Sequence, residues 1–254
     1  NNLVPRMEIF DDPLEKDSNK RFKGVLHLQA NAAWRNGITP TIFTSPDRLH
    51  WTKLKKYKKP PLGDHGAGPS YYDPYDFPER RYKAIMRAYN LSGRAIGMMY
   101  SPDLLTWNGF EDVLNHDQPY EKPPQELRTR SGWLILEAGG GVDEDEIYSA
   151  RLWIQDGIYI LQYLACRFDG RYEVALATSR DGVNFYRVKN GQSLLPTSGA
   201  GNWDSGIIAS VAPVKVEDEF WLYYGGTPWH HNSHSKMLNG QGLDLLDSPT
   251  FQIG

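Results

Sequence analysis

Apolar runs in this chain are short, and polar turns rich in Gly, Pro, Asp and Asn separate them at regular intervals. No stretch sustains the three-and-four spacing of apolar residues that a helix face needs. Tyr172-Glu173-Val174-Ala175-Leu176 alternates instead, and Phe220-Trp221-Leu222-Tyr223-Tyr224 is a brief aromatic run; both patterns fit strands. Asp156-Gly157 and Asp169-Gly170 are hairpin signals, because both residue types tolerate the left-handed turn positions. The pattern predicts four groups of strands. Group A covers Arg6–Phe10, Phe22–Gln29, Thr39–Thr44 and Trp51–Tyr57. Group B covers Ser70–Tyr72, Tyr82–Ala88, Ala95–Tyr100 and a strand near Phe110–Leu114, followed by a polar linker over 115–130. Group C covers Tyr148–Ile154, Ile158–Ala165, Glu173–Thr178 and Phe185–Val188. Group D covers Ile208–Val216, Phe220–Tyr224 and a third strand at Gly242–Leu246.

The groups repeat one phrase. Ser45-Pro46-Asp47 with Trp51, Ser101-Pro102-Asp103 with Trp107, and Ser179-Arg180-Asp181 with Phe185 each place an aromatic four residues after the Asp. Upstream, Asp12-Pro13 with Arg21-Phe22-Lys23 answers Asp73-Pro74 with Arg81-Tyr82-Lys83. A recurring unit of four antiparallel strands is the plan of a β-propeller. The expected fold is therefore all-β, a single propeller domain over residues 1–254 with four recognisable four-stranded blades. Four is one short of a five-bladed ring, so a longer parent chain supplies the missing blade or a short ring closes. The chain opens Asn1-Asn2-Leu3 and reads as a piece of a longer protein. Asp47, Asp103 and Asp181 are expected to tie their own turns, with Trp51, Trp107 and Phe185 packing between blades.

The net charge of −3 argues against nucleic acid as a partner. No apolar stretch approaches the roughly 20 residues of a membrane helix. A single cysteine, Cys166, excludes an intrachain disulfide and reads as a small buried hydrophobe. The basic run from Lys53 to Lys59 falls on an outermost strand, where charge blocks strand addition.

Residues just before the first strand of a blade face the mouth of a propeller. At that place stand Asp64 and His65 in group B, Asp143-Glu144-Asp145-Glu146 in group C, and Trp203-Asp204 in group D. Turn chemistry alone explains any one such Asp. Acids at one place in three successive units point further, to the carboxylate pair that cleaves a glycosidic bond.

The Ser-x-Asp turns, the Asp-Pro and Arg-Tyr-Lys strand pair, Gly201-Asn202-Trp203-Asp204-Ser205-Gly206 and Trp221-Leu222-Tyr223-Tyr224-Gly225-Gly226 together resemble the five-bladed β-propeller glycoside hydrolases. These are families 32, 43, 62, 68, 117 and 130, and the pattern is most similar to uncharacterised family-32-like and family-43-like bacterial proteins. The resemblance spans most of the chain. It implies three acids from different blades in a central funnel, with Glu146 as proton donor and Asp64 and Asp204 as carboxylates. Those families usually order the trio Asp, Asp, Glu, whereas this chain has Asp, Glu, Asp.

His65, Arg87, Arg130, Tyr148 and His230 are candidates for binding sugar hydroxyls or an anionic group, and Trp203 and Trp229 for stacking on a sugar face. The spacing around Trp229-His230-His231 carries no metal-ligand pattern, and neither a metal nor a cofactor is expected. Gly139-Gly140-Gly141 lacks the Lys-Ser/Thr of a phosphate loop. The expectation is a secreted or periplasmic glycosidase acting on an oligo- or polysaccharide, without nucleic-acid or membrane partners. Its alternatives are a non-catalytic carbohydrate-binding propeller and a β-mannoside phosphorylase.

Overall fold

The computed structural model describes residues 4–29, 39–56, 70–89, 94–105, 134–230 and 252–253. Among them every regular element is a strand or a short 3-10 turn, so the protein is all-β. The chain divides into two compact units, one holding residues 1–91 and 96–135 and the other 92–95 and 136–254.

The first unit contains two antiparallel four-stranded meanders, except that Arg94, Ala95 and Leu136 of the second meander belong to the second unit. One runs β1 (Val4–Asp11), β2 (Phe22–Gln29), β3 (Thr39–Ser45), β4 (Thr52–Lys56). The other runs β5 (Ser70–Tyr72), β6 (Tyr82–Tyr89), β7 (Arg94–Ser101), β8 (Leu134–Leu136). Their first turns share one construction. Asp12 N–H bonds to the Arg21 carbonyl at 3.0 Å, and Asp73 N–H bonds to the Arg81 carbonyl at 2.7 Å. Each Asp side chain then accepts the N–H two residues on, that of Leu14 at 3.2 Å or Tyr75 at 2.9 Å. The following proline has no N–H to continue the ladder, so the strand stops there. The fourth strand of the second meander is β8; the expected strand near Phe110–Leu114 lies outside the described residues.

The second unit is built on β9 (Glu146–Gln155), β10 (Ile158–Cys166) and β11 (Tyr172–Ser179), with β12 (Tyr186–Arg187) and β13 (Ser193–Leu195) sharing the outer edge of β11. The expected edge strand Phe185–Val188 is shorter because Lys189 and Asn190 take positive φ and turn the chain away. β14 (Ile207–Ser210) and β17 (Tyr224–Thr227) extend the same sheet, and β18 (Gln252–Ile253) pairs with β17. β15 (Val214–Val216) and β16 (Glu219–Trp221) form a separate hairpin. The expected single strand Ile208–Val216 is thus broken at residues 211–213, where Pro213 cannot donate to a ladder. The expected third strand Gly242–Leu246 lies outside the described residues. Among the described residues one pairing is parallel, a single bridge between Tyr172 and Ile207. The core of this unit is Ile147, Leu161, Val174, Ala175 and Ile208, each fully buried. A fully buried Leu or Val contributes about 1.5–3 kcal/mol.

The Ser-x-Asp turns are tied as expected. Asp47 Oδ1 accepts the N–H groups of Leu49 and His50, Asp103 Oδ1 that of Leu105, and Asp181 Oδ1 those of Val183 and Asn184, at 2.8–2.9 Å. In each copy the residue after the Asp takes positive φ: Arg48 at 67°, Leu104 at 64° and Gly182 at 72°. A side chain there is strained by about 1–2 kcal/mol. Only Gly182 also lacks room, since a Cβ would lie 2.9 Å from the Tyr159 ring. Gly182→Ala is expected to destabilise by about 1–3 kcal/mol, read as a lower urea midpoint with unchanged slope. An unchanged midpoint would mean the turn relaxes freely.

Candidate active site

Strand register collects the candidate residues at one end of the large sheet. Across the second unit, Glu146 pairs with Cys166, Cys166 with Tyr172, Tyr172 with Ile207, and Ile207 with Thr227. That row runs through the start of β9, the end of β10, the starts of β11 and β14, and the end of β17. Asp204 and Trp203 stand just before β14, and Trp229 and His230 just after β17. Glu146 and Ile207 are three strands apart, roughly 14 Å at the usual strand spacing.

The acidic run before β9 splits into separate roles. Asp143 is fully buried, and Arg187 grips both of its oxygens while also bonding the Glu137 carbonyl. That makes Asp143 structural. It also explains the glycines: a Cβ on Gly140 would strike the Arg187 guanidinium at 2.4 Å, and one on Gly141 the Gly191 backbone at 2.5 Å. Glu144 reaches Arg167 at 3.3 Å, and Arg167 lies 3.7 Å from the buried Glu173.

Glu146 is the acid of this run held at the row itself. Its Oε1 receives the Arg94 guanidinium and, at 3.2 Å, the Tyr172 hydroxyl. Arg94 also lies over the Tyr148 ring, 5.1 Å from its centroid, and Tyr148 packs on Tyr172 at 5.2 Å. A β-bulge shapes this corner: Tyr148 and Ser149 together face Leu164 where the register slips. The slip flips which residues of β9 are buried, from Ile147 before it to Ala150 and Leu152 after it. Tyr172 is almost wholly buried; burial, then the neighbouring Cys166 and Glu146, push its pKa far up, so the phenol keeps its proton and donates. Cys166 is buried, as the reading of a small buried hydrophobe expects, and burial pushes its thiol up to about 12.

Ligand atoms of Asp145, Glu146 and Cys166 lie within 4.8 Å of one another. The donor set does not suit a metal ion. Arg94 already supplies positive charge at Glu146, and a thiol titrating at about 12 gives up its proton reluctantly.

Asp204, 8% exposed, is held differently. Ser198 donates its hydroxyl to Oδ1, and the Tyr224 hydroxyl lies 3.5 Å from Oδ2. Burial, then Asp204, raises the Tyr224 pKa, so this phenol also remains a donor. Trp203 stacks on Tyr224 with ring centroids 5.5 Å apart and planes 19° from parallel. Two glycines make room for this arrangement. A Cβ on Gly226 would lie 2.6 Å from Asp204 Cβ, and one on Gly206 would lie 2.4 Å from the Trp229 carbonyl. His230 is fixed by its Nδ1, 2.7 Å from the Asp169 carbonyl.

Of the residues expected at the site, Glu146, Tyr148, Trp203, Asp204, Trp229 and His230 stand along this end of one sheet. Asp64, His65 and Arg130 lie outside the described residues, and Arg87 sits on β6 with its side chain likewise undescribed. The sequence reading passed over Arg94, Tyr172, Ser198 and Tyr224. No spacing could have revealed Arg94 and Tyr172, which reach Glu146 across 52 and 26 residues of chain.

No protein-family model matches the sequence, and no curated protein is similar enough in sequence to match it. Solved structures do match in fold. The β-1,2-mannobiose phosphorylase of Listeria innocua aligns with TM-score 0.52 and 14% identity, over 81% of this chain and 52% of that one. A glycoside hydrolase aligns with TM-score 0.52 and 15% identity, over 84% and 60%. The sucrose-6-phosphate hydrolase of Lactobacillus gasseri aligns with TM-score 0.50 and 11% identity, over 90% and 41%. The chain therefore spans about half the length of these structures. The likeness is one of fold.

Proposed function

We propose that this protein is a glycosidase that cleaves an oligo- or polysaccharide with two carboxylates, Glu146 and Asp204, in a five-bladed propeller to which its sheets contribute blades. The observation that carries this reading is the strand row, which sets both acids at the same end of one sheet with aromatic side chains around them. Glycosidic cleavage needs a proton for the departing oxygen and a second carboxylate to activate water or attack carbon. Trp203 has one face on Tyr224 and is half-buried, which suits its remaining surface to the apolar side of a sugar ring. Trp229 and His230 flank the same end.

Phosphorolysis is the second reading. Arg167, Arg171 and His230 cluster around the β10–β11 turn, with Arg171 bonded to Asp169 at 2.8 Å and His230 to its carbonyl. Such a basic group could receive phosphate in place of water. The test is a screen of aryl glycosides, disaccharides and plant and algal polysaccharides, with and without inorganic phosphate. Sugar release without phosphate is expected, and Asp204→Asn should lower it about 10²–10⁴-fold. Turnover only with phosphate selects the second reading. Saturable binding without turnover would leave a carbohydrate-binding protein in place of an enzyme.

A further inference from the structure

The two acids are held by opposite kinds of partner, and the difference divides the chemistry between them. A guanidinium carries donors only, so Arg94 on Glu146 Oε1 is best satisfied by a carboxylate. Tyr172 adds a second donor to the same oxygen, from a buried phenol that keeps its proton. Asp204 has hydroxyl partners instead, Ser198 and Tyr224, and no cationic side chain pairs with it among the described residues. A hydroxyl can donate or accept, so these contacts serve a carboxylic acid as well as a carboxylate. Trp203 and Tyr224 supply a mainly apolar surround on that side.

We propose that Arg94 and Tyr172 are positioning residues that hold Glu146 as the charged carboxylate of the pair, and that Asp204 is the proton donor. This reverses the roles implied by the family resemblance, and it rests on the glycosidase reading above. In the reaction, the bond from the anomeric carbon to the leaving oxygen breaks and its electron pair goes to that oxygen. The leaving oxygen takes the proton of Asp204. A solvent water forms the new bond to the anomeric carbon and gives its proton to Glu146. Two sugar hydroxyl groups result, and proton exchange with solvent restores both acids.

The test compares the wild-type chain with Asp204→Asn, Glu146→Gln, Arg94→Gln, Arg94→Lys and Tyr172→Phe. Each is assayed on a 2,4-dinitrophenyl and a methoxyphenyl glycoside of the sugar that the wild type cleaves, after circular dichroism confirms folding. A dinitrophenolate departs without a proton. Asp204→Asn should therefore lose about 10²–10⁴-fold on the methoxyphenyl substrate and far less on the dinitrophenyl one. Glu146→Gln should lose activity on both alike. Arg94→Gln should lower kcat on both with KM little changed, and Arg94→Lys should recover part of it, a split that simple destabilisation would not produce. If Glu146→Gln is the variant spared on the dinitrophenyl substrate, or Arg94→Gln keeps wild-type kcat, this assignment is overturned while the glycosidase stands. A wild type that cleaves no glycoside at all would instead remove the glycosidase reading, and this assignment with it.

Discussion

Lys83→Ala is expected to destabilise the first unit by about 3–5 kcal/mol, because it removes the buried ammonium that meets both Asp73 and Asp76. Lys83 is 1% exposed and forms ion pairs with Asp73 and, at 2.7 Å, with Asp76. Asp76 shows the balance of forces. Burial alone would raise its pKa, but the Lys83 hydrogen bond, the Phe77 N–H and the charges of Lys83 and Arg80 hold it below the ordinary value. For a chain of this size the loss corresponds to a melting midpoint lower by roughly 10 °C. The repeat provides an internal control. In the matching turn Lys23 pairs with Glu15 at 2.6 Å and lies 3.9 Å from Asp12, and the Glu15 side chain is 22% exposed. Water can reach that pair, so Lys23→Ala should cost clearly less. Adding Asp73→Asn to Lys83→Ala should restore part of the loss, since the buried charge that Lys83 met is then gone, while Asp76 keeps Arg80. Equal melting points for the two Lys→Ala variants would show that the buried pair contributes no more than the wetter one.

Gly226→Ala should damage stability and, on the proposed glycosidase reading, activity as well. The added methyl would lie 2.6 Å from Asp204 Cβ, 2.8 Å from the Trp203 ring and 3.0 Å from Asp204 Cα. No flexible side-chain tip can simply swing aside, because the obstruction includes the Asp204 backbone. Overpacking of this kind costs about 1–3 kcal/mol. Its larger effect is on geometry: a displacement of Asp204 by about 1 Å is expected to lower kcat on the order of 10²-fold. Measuring kcat alongside the urea midpoint separates the two. A variant that is destabilised but turns over at the wild-type rate would show that the placement of Asp204 against Gly226 is irrelevant to the chemistry.

The two effects lie at different distances from what a sequence can show. The Asp73 and Lys83 partnership is a local matter. Asp-Pro ends a strand, the chain turns, and Lys83 returns within ten residues to meet the carboxylate, so the repeated phrase carried its own structure. The same holds for the three Ser-x-Asp turns, whose hydrogen bonds span two or three residues. Apart from β8, the strands of both meanders were legible for a related reason: alternation and turn residues act over a few positions. Where the expected strands failed, local detail overrode the apolar pattern, as at Pro213 or at the positive-φ pair Lys189 and Asn190.

The candidate site was legible only in part. Position at the start of a strand group pointed to Asp64, to the run holding Glu146 and to Asp204, because that place is set by the strand pattern; Asp64 lies outside the described residues. What each acid touches was not legible. The acidic run 143–146 is chemically uniform in sequence, yet the fold gives Asp143 to Arg187, Glu144 to Arg167 and Glu146 to Arg94 and Tyr172. The sequence by itself determined the repeating strands, the turns that join them and which acids stand at the strand starts, since these depend on propensity and on contacts a few residues long. Tertiary structure alone decided which acid meets a guanidinium and which meets hydroxyls. Those partners arrive from other strands through register and through a bulge that flips one face of β9, and a register is a property of paired strands rather than of either one.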